Sequence, residues 1–295
     1  MKKTFWPLLY ICFAFFTQLC LANTTPALWQ VEKNGVTSYL FGTVHVGDEA
    51  MKGLPSYVEQ AISRSDKVVV EVDISALSPM QIQQRSMPLM MLRNGRTLET
   101  ELSSKNYQRL SDYFAQKSIN IAMFSGLKPW AVLLTMVQIE YQNAGYSEQN
   151  GIDKQVLAKA NAIGKPIMEL ESLEQQLEMF SALDNYADEM VNDTFRQLKD
   201  LDHYFARLIS AWKQGDTDIL RQYYHDAFDD SEFGQLNEHI LLIERNQNWV
   251  AQLNQPMQQQ SLFIAVGALH LPEKNGLVNL LREQGFTVTK RQPSQ

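Results

Sequence analysis

The sequence predicts an α+β fold: a mixed central β-sheet built from both chain ends, with a mainly helical middle segment packed over it. Three observations carry this. Apolar runs of strand length cluster near the two ends of the chain, while the stretch between them repeats apolar residues at three-and-four spacing. A short pattern also occurs twice, once near each end, as Gly42-Thr43-Val44-His45 and Gly267-Ala268-Leu269-His270. Each copy follows an apolar run, TSYLF at 37–41 and LFIAV at 262–266. Two such strands side by side would bring two imidazoles to one point.

The elements follow in order. Runs 28–32 and 36–41 flank Lys33-Asn34-Gly35, and Asn-Gly between apolar runs signals a hairpin because both turn residues take positive φ. Leu54-Pro55 opens a helix over 56–64, where the missing proline N–H costs nothing. Residues 67–74 (KVVVEVDI) are a strand whose continuous valines predict cover on both faces. Helical spacing runs over 79–92, 103–116, 129–141 and 153–162; PIMEL at 166–170 is a short strand. Residues 173–183 and most of 186–249 are expected as long helices, with a break at 226–234. Strands return at 261–266 and 286–289, around a helix at 276–284 stopped by Gly285.

Residues 1–22 have the form of a secretory signal: Lys2 and Lys3, the apolar run FWPLLYICFAFF, then Cys20-Leu21-Ala22 with small residues at the cleavage-determining positions. The expected mature chain starts at Asn23 and is periplasmic or secreted, with no stable membrane anchor after cleavage. An uncleaved anchor is the alternative. Both cysteines, Cys12 and Cys20, lie in this segment, so the mature chain would hold no disulfide, thiol nucleophile or cysteine-ligated zinc. Loss of two lysines takes the formal charge from −7 to −9, and an acidic chain without a basic stripe is a poor partner for nucleic acid. No linker rich in Pro, Gly or Ser divides residues 23–295, which are expected to form one domain.

Only five histidines are present, and two occupy matching Gly-x-x-His positions. His45 and His270 are therefore the candidate metal ligands; a buried turn-capping histidine is the plainer alternative for each. Glu71 and Asp73 sit two apart in the valine-rich run and would share one face of the sheet. Acids there are costly unless paired or bound to a metal, and Glu71, the more closely flanked by apolar residues, is the candidate base or ligand. Arg245 could stabilise negative charge developing on a substrate oxygen. His203, His225 and His239 lie on polar helices and are expected at the surface or core edge. Gly151-Ile152-Asp153 is a helix-start signal. Glu169 or Glu171 could support a ligand from behind.

These residues resemble a known family. LFGTVHVGD at 40–48, LPSYVEQAISRSDKVVVEVD at 54–73, GLKPWAV at 126–132, NGID at 150–153, GKPIMELES at 164–172, ERNQNW at 244–249 and VGALHL at 266–271 together resemble the TraB/GumN family, related to the Tiki-type membrane metalloproteases. The resemblance implies a mixed sheet with helices. It also implies a metal-binding and catalytic core of the paired Gly-x-x-His histidines and a glutamate at the place of Glu71, with an arginine at the place of Arg245. The expected function is an exported metal-dependent hydrolase, in particular a peptidase, holding Mn²⁺, Co²⁺ or Zn²⁺ and acting on a peptide or small molecule. The alternative is a periplasmic binding or regulatory protein that holds a metal, haem or peptide in the same pocket without turnover. Glu71→Gln is expected to affect turnover more than folding, because glutamine keeps size and hydrogen bonding.

Overall fold

The hairpin forms as its turn chemistry requires: Asn34 and Gly35 take φ of 54° and 81° between strands β1 (Leu28–Lys33) and β2 (Val36–Thr43). The computed structural model describes residues 24–199 and 201–291 and, of residues 202–204, the backbone. The expected signal segment 1–22, the start at Asn23 and the side chain of His203 lie outside the described residues.

Four further strands complete one mixed sheet: β3 (Lys67–Val70), β4 (Ile167–Glu169), β5 (Leu262–Gly267) and β6 (Thr287–Lys290). Their order is β4-β3-β5-β2-β1-β6. Pairing is parallel from β4 through β3 and β5 to β2, and β1 runs antiparallel between β2 and β6. The two strands that precede the Gly-x-x-His copies are thus direct neighbours, joining the chain ends as expected.

Alternation along β5 divides the sheet between two cores. Phe263 and Ala265 pack with Phe41, Val68 and Val70 against the helices Ser56–Arg64, Ile152–Ala162 and Leu201–Gln214. Leu262, Ile264 and Val266 pack with Leu40 and Val69 against the helices Glu244–Asn254 and Leu277–Glu283. Burying each of these large side chains contributes roughly 1.5–3 kcal/mol. A third core, with Trp130, Phe114 and Met136 at its centre, lies away from the sheet among the helical segments of residues 98–191, with Phe233, Leu236 and Ile240 packed against it.

Several boundaries differ from expectation. The strand expected over 67–74 ends at Val70, because Asp73 caps a 3₁₀ turn, Ile74–Ala76, by accepting from Ser75 N at 3.0 Å. Glu71 and Asp73 therefore do not share a strand face. The run 186–249 is broken into shorter helices, and its main gap, residues 228–231, leaves Gly234 inside the helix Glu232–Glu238. That helix continues through a π-helical turn, His239–Ile243, into Glu244–Asn254.

Register places the functional edge. Val70 pairs with Ala265, and Thr43 with Gly267. Glu71, the turn Ala268–His270 and the segment Val44-His45 thus leave the carboxyl ends of three adjacent parallel strands, where sites in open parallel sheets form. Gly42 makes this possible sterically. A Cβ there would lie 3.0 Å from Ala268 Cα, so the glycine of the first copy makes room for the turn of the second.

Candidate active site

Beyond Gly267 the chain turns sharply, and His270 is only 4% exposed. Its Nδ1 lies 2.7 Å from Asn246 Oδ1. Asn246 Nδ2 donates to the carbonyls of His270 and Asn275, at 3.3 and 2.8 Å, so its amide oxygen must face the ring. Arg245 Nη1 is 3.1 Å from His270 Nε2. A guanidinium only donates, so Nε2 carries the lone pair and Nδ1–H donates to Asn246. The ring packs against Trp249, centroids 4.4 Å apart. Burial pushes the His270 imidazole down to about 3, against the pull of Glu71 and with help from Arg245 and His45, leaving it neutral at neutral pH.

Glu71, the first residue past β3, is also buried. Oε1 accepts from Gly267 N at 2.7 Å; Oε2 accepts from Arg245 Nη2 at 2.6 Å and Gln176 Nε2 at 2.9 Å. A Cβ at Gly267 would stand 3.3 Å from Oε1, so glycine lets the carboxylate approach this amide. Burial alone would raise the Glu71 carboxyl. The charges of Arg245 and His45 and the Gly267 amide oppose it and hold the group below the ordinary carboxylate range.

Arg245 bridges two carboxylates. Besides Glu71 it donates to Glu171, from Nε at 2.9 Å and Nη2 at 3.0 Å, while Nη1 donates to Leu241 O at 2.9 Å. Glu171 Oε1 also accepts from Trp249 Nε1 at 2.9 Å, and the guanidinium carbon sits 4.7 Å above the Trp249 ring. Of the two acids weighed at the end of β4, Glu171 supports the site. Glu169 instead accepts from Asp73 N at 3.2 Å. Two carboxylates, one guanidinium and a neutral imidazole make a buried cluster with a surplus negative charge. Desolvating such a cluster costs several kcal/mol per ion, so it is retained for something other than stability.

His45 is positioned differently. Ile152 N donates to Val44 O at 2.8 Å, and a Cβ at Gly151 would fall 2.4 Å from His45 O. Gly151 therefore lets the helix Ile152–Ala162 dock on this segment, bringing Asp153 Oδ2 to 3.5 Å from His45 Nδ1. The Asp153 carboxylate holds the imidazole above its usual pKa. The side chain is 70% exposed and lines, with Glu71, Thr43 and Gln176, a cavity of about 240 Å³. Among the described residues it makes no hydrogen bond or ion pair with Glu71 or His270. His225 pairs with Glu273 at 3.3 Å and is exposed, as is His239.

Among the described residues no three of His, Cys, Asp and Glu are grouped to hold an ion. One pair has the required chemistry. His270 Nε2 and Glu71 Oε1, a nitrogen and an oxygen donor of the kinds that hold such ions, are 3.8 Å apart, with the Arg245 guanidinium on the first and the Gly267 amide on the second. The imidazole is neutral, the carboxylate ionised, and Asn246 fixes the outer ring nitrogen as ligand histidines require. Arg245 lies against both residues, and His45 is not gathered with them. Sequence reasoning missed Asn246 and Gln176. An Asn beside an Arg on a helix, or a Gln in a polar helix, carries no signal of its own.

A sequence model of the TraB/PrgY/gumN family matches residues 27–290. The chain belongs to this family. The match begins one residue before β1 and ends with β6, so it takes in the whole sheet and every residue of the cluster. The chain is 26% identical over 245 residues to the uncharacterised protein YbaP of Shigella flexneri, covering 83% of this chain and 88% of that one. It is 26% identical over 244 residues to YbaP of Escherichia coli (strain K12), covering 83% and 87%. It is also 23% identical to the metalloprotease TIKI2 of Danio rerio, over 91% of this chain and 61% of TIKI2. No solved structure matches.

For this TraB/PrgY/gumN member the buried charges set a pH dependence. The unfolded chain protonates His270 near its ordinary 6.5, whereas the folded protein does so only at about 3. Between these values the unfolded state binds more protons, so stability falls as pH falls. Glu71, lowered from 4.5, adds to the loss below that pH. His45, raised, acts in the opposite sense, its contribution being complete below 6.5 and lost as pH rises through the raised value. The melting temperature of chelator-treated protein is expected to drop from pH 7 to pH 5. His270→Gln should flatten that slope; an unchanged slope would contradict a buried neutral imidazole.

Proposed function

We propose that this chain is an exported, metal-dependent hydrolase of peptide bonds, with its centre at Glu71, His270 and Arg245 and with His45 on the wall of the adjoining cavity. The observation that carries the reading is the pairing of an ionised Glu71 with a neutral, oriented His270, 3.8 Å apart at the carboxyl edge of the sheet. Similarity to a protein named as a metalloprotease supports it.

In this reading His270 Nε2 and Glu71 would hold a divalent ion (Mn²⁺, Co²⁺ or Zn²⁺), and His45 would be the further imidazole, on the cavity that Glu71 also lines. Such an ion supplies Lewis acidity and lowers the pKa of water. Glu71 takes a proton from the attacking water. Arg245, backed by Glu171 and Trp249, presents positive charge to the oxygen that becomes negative in the transition state. Asn246 keeps the His270 ring in its Nδ1–H form. The protein acts in the periplasm or outside the cell once residues 1–22 are removed, on a peptide or small-molecule substrate.

The test is metal content and turnover on one preparation. Mature protein stripped by chelator is dialysed separately against Mn²⁺, Co²⁺ and Zn²⁺, assayed for bound ion, then incubated with a mixed peptide library read by mass spectrometry. We expect one ion per chain and cleavage with at least one metal. His270→Ala should lower metal content tenfold or more, His45→Ala less, and His225→Ala not at all. Wild-type metal content in the His45→Ala, His270→Ala double variant would place the ion elsewhere. Full metal content without cleavage would identify a binding protein.

A further inference from the structure

Away from the buried cluster, on the outer side of the Ala268–His270 turn, a cleft of about 690 Å³ opens between the helices Thr217–Ala227 and Leu277–Glu283 and the β1–β6 edge of the sheet. Its volume suits a small ligand. Its apolar lining comes from Trp29, Leu220, Leu271 and Val278. Its charge is opposite to that of the chain. The sequence carries a net −7, yet the cleft is lined by Arg221, Lys274, Arg282 and Lys290 against a single carboxylate, Glu273.

The pairing of these charges matters more than their number. Glu273 Oε1 is taken up by Arg221 Nε, 2.8 Å away, and by His225. The other three cations have no carboxylate partner among the described residues. Arg282 Nη2 donates to Val288 O at 2.9 Å, and Lys290 Nζ donates to Gly215 O at 2.6 Å. Backbone carbonyls thus fix two cationic groups in place without neutralising them, and Lys274 adds a third at the rim. Charges of one sign gathered in a cleft with low-dielectric walls concentrate counter-ions there. Glu273 holds a left-handed backbone, φ 69°, at the turn that presents this wall.

We propose that the cleft binds a small organic anion, its carboxylate or phosphate head held by Lys274, Arg282 and Lys290 and its apolar body lying on Trp29, Leu220, Leu271 and Val278. The site is separate from the Glu71–His270 centre, and the proposal does not rest on the hydrolase reading.

Titration calorimetry on the mature protein tests it with four probes: octanoate, octyl phosphate, octanol and inorganic phosphate. At least one of the two amphipathic anions should bind, tenfold or more tightly than octanol and inorganic phosphate, with affinity falling as salt rises. Which of the two binds distinguishes a carboxylate from a phosphate head. The double variant Arg282→Gln, Lys290→Gln keeps donors for the two carbonyls but removes both charges. It should melt as wild type and weaken anion binding at least tenfold. Absence of binding by both amphipathic anions would overturn the proposal. So would equal binding of octanol or inorganic phosphate, or unchanged affinity in a folded double variant.

Discussion

Replacing Glu71 by Gln is expected to slow peptide hydrolysis by roughly 10²–10⁴-fold, the range lost when a positioned base is removed. The structure adds a stability cost that the sequence expectation, near-normal folding, did not include. Glu71 offers two accepting oxygens, one to the Gly267 amide and one to Arg245 and Gln176. A carboxamide has one oxygen, so its NH₂ must face a donor on one side. An unsatisfied buried donor costs about 1–3 kcal/mol, and melting should fall by roughly 2–10 °C in a chain of this size. Arg245 is not left unpaired, since Glu171 still accepts from it twice. Thermal melting, metal content and peptide turnover on one variant separate the roles. A variant that melts early yet hydrolyses peptide at the wild-type rate would exclude Glu71 as the base. One that folds but no longer turns over, even at metal concentrations that restore full occupancy, would support it.

Arg245→Ala should be the most damaging single change to folding. It leaves the buried Glu71 and the half-buried Glu171 without the cation they share, and removes the guanidinium from the Trp249 ring. Breaking a buried pair by deleting one partner costs about 3–5 kcal/mol, a fall in melting temperature of roughly 6–20 °C. Neutralising the stranded acids, as in Arg245→Ala combined with Glu71→Gln and Glu171→Gln, should restore part of that loss. Arg245→Lys should rescue poorly, because one ammonium cannot span both carboxylates and the Leu241 carbonyl. If Arg245→Ala alone melts within a degree or two of wild type, the clamp contributes nothing to the fold.

Much of this was legible in the chain. The hairpin could be read because Asn34-Gly35 dictates its own backbone, and β5 because an unbroken apolar run of only strand length, rich in branched and aromatic residues, reads as a covered strand. Adjacency of β2 and β5 followed from the repeated Gly-x-x-His. What that repeat could not reveal is that its two copies differ in environment: His270 is enclosed by Trp249, Asn246 and Arg245, while His45 stands at a cavity wall beside Asp153. Symmetry of pattern did not give symmetry of burial, because burial depends on which distant helix covers each turn. Asp73 was misplaced for a local reason. The valine run gives no sign of where pairing stops, and an aspartate two residues before a serine, able to accept from its N–H, ends a strand as readily as it continues one. Glu171 gained its role through Arg245 and Trp249, 74 and 78 positions away in sequence.

The π-helical turn at His239–Ile243 inserts one residue into what would otherwise be a continuous α-helix from Glu232 to Asn254. One added residue changes the angular phase of everything beyond it by roughly 100°. Upstream, Phe233 and Leu236, and Ile240 within the turn, are keyed to the helical core; downstream, Trp249, Val250 and Leu253 are keyed to the sheet. The turn is where one rod changes phase to fit two differently oriented sockets, and Arg245 and Asn246 stand on its downstream side. Shortening the turn by a single residue would therefore leave the sequence of the cluster intact but set its two anchoring cores at odds. Either the upstream helix would lose its seat, or the guanidinium would swing away from the carboxylates it joins.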